Sequence, residues 1–139
     1  MNTQAIDPHT FPAATTTRSV SRVWAGRIVS AVPVLFLLVD GAMKLANPAP
    51  IREAMAHLGW PAGLAPALGV ILLTCVVLHL IPRTAVLGAI LLSAYLGGAV
   101  ATHMRIGEPL FSHLFPVIVA LFVWGGLYLR DARVRALFT

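Results

Sequence analysis

The sequence predicts an all-α fold of the integral-membrane kind, a bundle of four antiparallel transmembrane helices. Three observations predict it. Hydrophobic residues make up 58% of the 139 positions and charged residues only 11%, against roughly 25% charged in an average soluble protein. Mean hydropathy is +0.86. Four apolar runs, each near the roughly 20 residues that cross a 30 Å hydrocarbon layer, are separated by short polar turns. Ten basic and five acidic residues cannot cover the surface of a soluble fold of this size, so lipid is the expected solvent.

Residues Met1 to about Ser21 are polar and rich in Thr, Pro and Ala. They read as a poorly ordered tail (1–21), followed by a single membrane domain over 22–137. Arg18, Arg22 and Arg27 before an apolar run also fit a cleaved signal peptide, but the run is long for one and no clear A-x-A site follows. The first span is therefore read as retained.

The spans are expected at about Val23–Ala46, Gly63–Ile81, Thr84–Thr102 and Leu110–Leu129. Strict alternation is missing, and backbone polar groups in lipid must bond within their own segment, so each run is read as a helix. Pro82-Arg83 and the Met104–Pro109 turn are too short for anything but hairpins. Pro109 is expected at the first position of the last helix, with Glu108 as its cap. Between the first two spans, Ile51, Ala54, Met55 and Leu58 have the spacing of a short amphipathic helix lying on the membrane surface. On α-helical spacing, Ala94/Gly98 and Gly97/Ala101 read as close-packing pairs, with a homodimer contact as the alternative. Pro33 and Pro116 lie inside spans and are expected to bend them, which can open a cavity.

Basic residues set the orientation. With the N-terminus inside, Arg18, Arg22, Arg27, Arg83, Arg130, Arg133 and Arg135 fall on the inner side and Lys44, Arg52 and Arg105 on the outer. Both termini are therefore expected in the cytoplasm. The net charge of +5 is spread over the span ends, not gathered in a patch, so nucleic acid is not an expected partner; the lipid bilayer is.

The polar residues that should meet at the outer end are Asp40, Lys44, His103, Arg105, Glu108 and His113. Asp40 and Lys44 are four apart and share a helix face. An unpaired carboxylate within a span costs about 2.5–3.5 kcal/mol at the bilayer centre, so Asp40 is expected to face the bundle and find a partner. Two readings stand: ion pairs that lock the first span to the last hairpin, or a ligand site. His103 and His113 fall at similar depth, but no Cys cluster, HExxH or i,i+4 histidine pair accompanies them, and no metal is expected. Cys75 is the only cysteine and reads as a buried, inert thiol. His79 lies at the opposite end of its span and reads as a hydrogen-bonded histidine. No nucleotide loop, nucleophile elbow or catalytic triad is present.

The run GGAVATH–GEP–H–P, the GGLYLRD end, and DGAMKL followed by HLGWP resemble the DoxX-like membrane proteins, over about Val29 to Leu137. The resemblance implies a four-helix membrane bundle. It also implies an association with oxidoreduction, since the founding DoxX proteins are small membrane subunits linked to thiosulfate:quinone oxidoreduction. On that basis the expected role is an accessory or quinone-interacting subunit of a membrane oxidoreductase, beside a membrane or peripheral redox partner. The six outer residues would line its pocket, with a quinone as the one cofactor in view. The alternatives are a small transporter or channel, with Ser93, Thr74 and Tyr95 as its polar path, and a structural assembly factor without a ligand. The chain carries no catalytic motif of its own, so it is at most a subunit of an enzyme.

Overall fold

The computed structural model describes residues 16–137, and among them all regular structure is helical. Helix α1 spans Thr16–Ala46, α2 Ala49–His57, α3 Ala65–Leu80, α4 Ala85–Arg105, α5 Leu110–Arg130 and α6 Ala132–Ala136, with a 3₁₀ turn at Ala62–Leu64 before α3. Helix α1 includes residues 16–21, which the sequence assigned to the tail; residues 1–15 of that tail lie outside the described residues.

Helices α1, α4 and α5 are long and apolar enough to cross a membrane. Helix α3 is not: at 16 residues it extends only ~24 Å at 1.5 Å per residue, short of a ~30 Å hydrocarbon layer. Prolines set this length. Pro61 precedes the 3₁₀ turn, Pro66 occupies the first turn of α3, and Pro82 follows its end, each unable to donate a backbone hydrogen bond.

The helix ends are chemically specified. Asn47 adopts a left-handed conformation (φ 50°) immediately after α1 and donates its N–H to Met43 O, so the chain turns out of the helix before Pro48. At the end of α4, Gly107 (φ 71°) donates to Met104 O and Glu108 to His103 O, the paired bonds of a Schellman stop. This stop fixes Glu108 in the turn. Pro109, expected as the first helical residue of the last span, instead takes the cap position of α5, with extended backbone and no side-chain cap bond. Glu108 stands one residue further out and is not the cap.

Helix α1 packs against α3 and α5, and α4 packs against the same two. Their shared core holds Leu37 from α1, Leu72 and Val76 from α3, Ala89 and Leu92 from α4, and Val123 and Leu127 from α5. The outward faces carry Leu35, Ile90, Phe111 and Leu121, all exposed. Only 28% of an 18-residue apolar stretch in each long span is inside the protein, so these apolar faces need an apolar surrounding.

The backbones approach closely at glycines. A Cβ on Gly88 would sit 2.2 Å from His79 N, one on Gly126 2.1 Å from Ser30 Oγ, and one on Gly69 2.8 Å from Gly41 O. These residues draw α4 onto α3, α5 onto α1, and α3 onto α1. The pairs read from the sequence as packing motifs behave differently: a Cβ on Gly97 or Gly98 would meet nothing within 4 Å. On α4, Gly97 and Gly98 make room where Gly88 makes contact.

Candidate functional site

Small residues on one face of α4 leave a cavity of about 380 Å³ at the end of the molecule where α1 and α4 finish and α5 begins. Helix α1 presents Phe36, Asp40 and Lys44 to it at four-residue spacing, so all three share a face. Helix α4 contributes Tyr95, Thr102 and His103, and α5 contributes Phe115, Pro116 and Val119. Gly98 and Ala99 lie between Tyr95 and Thr102 on the same face and hold the space open. Pro116 cannot bond the carbonyl four residues back, which relaxes α5 at the cavity wall.

Two kinds of surface meet in this cavity. Phe36 and Phe115 pack edge to face with ring centroids 5.0 Å apart, part of a mostly apolar lining. Opposed to them are the Asp40–Lys44 ion pair, Thr102 and His103. The carboxylate and the ammonium neutralise each other, which is what allows both to remain at the bundle interior. Thr102 Oγ1 donates to Gly98 O at 2.9 Å. His103 lies in the last turn of α4. Its Nδ1 is buried with no hydrogen-bond partner among the described residues.

Helix α2 covers the opening. Met55, 4% exposed, is its one buried residue, and Leu58 and Trp60 complete the cover. Two polar contacts from the α4–α5 turn fasten it. Arg105 Nη2 donates to Leu58 O at 2.7 Å. His57 Nε2 donates to Glu108 Oε1 at 2.7 Å, while Ser112 Oγ donates to Glu108 Oε2 at 3.0 Å. The hydrogen bond from His57, then that from Ser112, hold the Glu108 carboxyl below the usual carboxylate range.

Of the six residues expected to converge, Asp40, Lys44 and His103 line the cavity. Arg105 and Glu108 are nearby but serve to clamp α2. His113, in the first turn of α5, is not part of the lining, and its Nδ1 is also buried without a partner among the described residues. No group of three His, Cys, Asp or Glu residues among the described residues is arranged to hold a metal ion. Sequence reasoning missed Tyr95, Phe36, Phe115 and Trp60 as lining residues. Tyr95 was findable, since it lies seven and eight residues before Thr102 and His103, two turns back on the same stripe. Phe115 and Trp60 had no such signal, because helix rotation and the path of a loop are tertiary outcomes.

The interior beyond the cavity is sealed. Ser93 Oγ donates to Ala89 O and accepts from Trp124 Nε1, while Thr74 lies on the exposed face of α3, its Oγ1 donating to Val70 O. At the far end His79 is fully buried. Its Nδ1 bonds Ala85 O at 3.2 Å, its Nε2 accepts from Arg130 Nη2 at 3.3 Å, and its carbonyl accepts from the same nitrogen at 3.0 Å. That pattern fits the neutral ring with its proton on Nδ1.

The arrangement of helices, cover and cavity was compared with known proteins. No curated protein and no solved structure matches the chain. The model of the DoxX-like family matches residues 28–126, from the first half of α1 to the last turns of α5, a stretch that holds every residue lining the cavity. The chain is a membrane protein of apolar helices, and it belongs to the DoxX-like family.

Proposed function

We propose that the chain is an accessory, quinone-interacting subunit of a membrane oxidoreductase system, embedded in the bacterial inner membrane. In this reading α1, α3, α4 and α5 form an antiparallel four-helix bundle with both termini in the cytoplasm. The short helix α3 crosses with the help of its 3₁₀ turn and local bilayer thinning. The excess of arginine at the end opposite the cavity supports that orientation.

The observation that carries the reading is the cavity itself. Its volume of about 380 Å³ lies within the ~300–1,000 Å³ typical of small-molecule sites. Its lining suits a planar ring with polar edges: aromatic walls, and proton donors on Lys44, Tyr95 and His103. Asp40 pairs with the Lys44 ammonium and fixes its place. His103, with a ring nitrogen not committed elsewhere, is the group best suited to take up and release a proton. Phe36, Phe115 and the α2 cover exclude water. A bound quinone supplies a carrier for electrons delivered by a partner subunit. The transporter alternative finds less support, since Ser93 and Thr74 are committed to neighbouring groups and the core between cavity and His79 is apolar.

Trp60 reports on the cavity, because quinones quench indole fluorescence on contact. Protein purified in mild detergent should retain stoichiometric quinone by mass spectrometry. Protein stripped of quinone should then show saturable quenching with a short-chain ubiquinone. The quench should vanish in Trp60→Phe and weaken about tenfold in His103→Ala and in Tyr95→Phe. Absence of co-purifying quinone, together with quenching that never saturates and is the same in His103→Ala, would overturn the reading.

A further inference from the structure

The end of the protein opposite the cavity holds a second recess, of about 480 Å³, that the quinone reading does not use. Four arginines from four separate elements line it: Arg27 of α1, Arg83 of the α3–α4 turn, Arg130 at the end of α5 and Arg133 of α6. The one acid in its lining is Asp131. Asp131 caps α6, its Oδ1 accepting from the backbone N–H of Arg133 at 2.9 Å. Among the described residues the ion pairs are Asp40–Lys44 and His57–Glu108, so none of these guanidinium groups has a carboxylate against it.

Part of the cluster is built rather than merely exposed. Arg130 is half-buried and held by one nitrogen to both the carbonyl and the ring of His79, which is itself fully buried. Arg27 lies over the Trp24 ring at 5.5 Å. A topology signal alone requires arginines near the ends of spans, but not their convergence on one recess. Gathered in this way with Asp131 as the one counter-charge in the lining, they repel one another, and a bound anion removes that repulsion. Guanidinium forks match phosphate oxygens in pairs, so phosphate is the anion that several arginines recognise best.

We propose that this recess binds the phosphate of an anionic ligand. An acidic phospholipid headgroup is the source its apolar edge favours. Val23 and Leu80 form that edge, and the exposed Ile81 and Leu87 extend the apolar surface along the outside of the helices. Acyl chains can lie on such a surface while the headgroup enters among the arginines. Four guanidinium groups against one carboxylate favour a headgroup with two phosphates, such as cardiolipin, over one with a single phosphate.

The test uses the full chain in dodecylmaltoside, read by thermal unfolding and by native mass spectrometry. Added cardiolipin should raise Tm by about 5 °C or more, and phosphatidylglycerol by less. Zwitterionic phosphatidylcholine should leave it unchanged. Cardiolipin adducts should survive in the mass spectrum. The double variant Arg83→Gln with Arg133→Gln alters only side chains outside the His79–Arg130 contact, so it should fold normally and lose at least half of the cardiolipin shift. Arg83→Lys with Arg133→Lys, keeping charge but not the fork, should fall between. A shift of equal size with millimolar inorganic phosphate would identify a free phosphate compound as the ligand rather than lipid. A shift absent in all arms, or the same in the double glutamine variant, would overturn the proposal.

Discussion

Two histidines at opposite ends of the same protein, His79 fully buried and His103 partly buried, have opposite surroundings. His79 is enclosed between α3, α4 and Arg130, and both ring nitrogens are used. The neighbouring backbone comes so close that Gly88 leaves no space for a side chain. His103 lies beside an open volume, with a ring nitrogen that has no partner among the described residues and with Gly98 in the same lining, where an added Cβ would meet nothing. A buried polar group that is fully partnered holds helices together. One left short of a partner beside a cavity is a standing energetic cost, and a ligand that bonds to it removes that cost. The same residue type therefore marks structure at one end and recognition at the other.

The contrast is sharpest in the glycines. Gly88→Ala should be the most damaging single change. Its methyl group would lie 2.2 Å from His79 N and 2.5 Å from His79 Cα, and a backbone cannot give way as a flexible side chain can. A loss of about 3 kcal/mol or more is expected, read as failure to recover a monodisperse peak on size exclusion in detergent. Gly98→Ala changes a residue of the same type on the same helix, with nothing within 4 Å of the new methyl. It should fold as well as the wild type, or gain up to about 1 kcal/mol from helix propensity, while narrowing the cavity and weakening quinone quenching several-fold. Equal stability of the two variants would break the comparison.

The histidines themselves come next. His79→Ala removes the acceptor for Arg130 and the donor to Ala85 O and leaves a void in a fully buried position. It should cost about 3 kcal/mol by thermal or denaturant unfolding in detergent. His103→Ala should cost less than about 1 kcal/mol, since the group it removes satisfies no partner through Nδ1. Its effect should fall on ligand binding. A His103→Ala protein that unfolds as readily as His79→Ala would show that both histidines are structural.

How much of this was legible in the sequence follows from what lipid selects. Apolar length is selected directly, so the ends of the long helices, apart from the polar start of α1, were readable to within a turn, as was the short helix that became α2. The convergence of Asp40, Lys44 and His103 was also readable, because charged groups within spans must turn inward. Rotation about each helix axis was not. In α3 every face is apolar, and the periodicity that orients a helix in water is missing. For the same reason the sequence could not tell Gly88, which admits a backbone, from Gly98, which borders a cavity. Arg105 and Glu108 were placed at the right end, but their partners, Leu58 O and His57, were not readable, since these lie about 50 residues away on a loop whose path only the fold decides.

That loop gives the smallest expected effect, and it tests whether the cover is fastened by charge. The bond from His57 and then that from Ser112 hold the Glu108 carboxyl below the ordinary carboxylate value in the folded protein. A carboxyl lowered in this way contributes stability above its ordinary value, and the contribution is lost as pH falls through the lowered one. The pair is at the protein surface, with His57 70% and Glu108 20% exposed, so the loss should stay local. Hydrogen exchange, corrected for its intrinsic pH dependence, should show α2 amides losing protection in that acidic window while α4 and α5 amides keep theirs. Glu108→Gln should remove the pH step and leave α2 weakly protected at neutral pH as well. If α2 protection is instead the same in both proteins at both pH values, the cover is held by Met55 and the Arg105–Leu58 contact alone, and the polar turn at the cavity end plays no part in opening it.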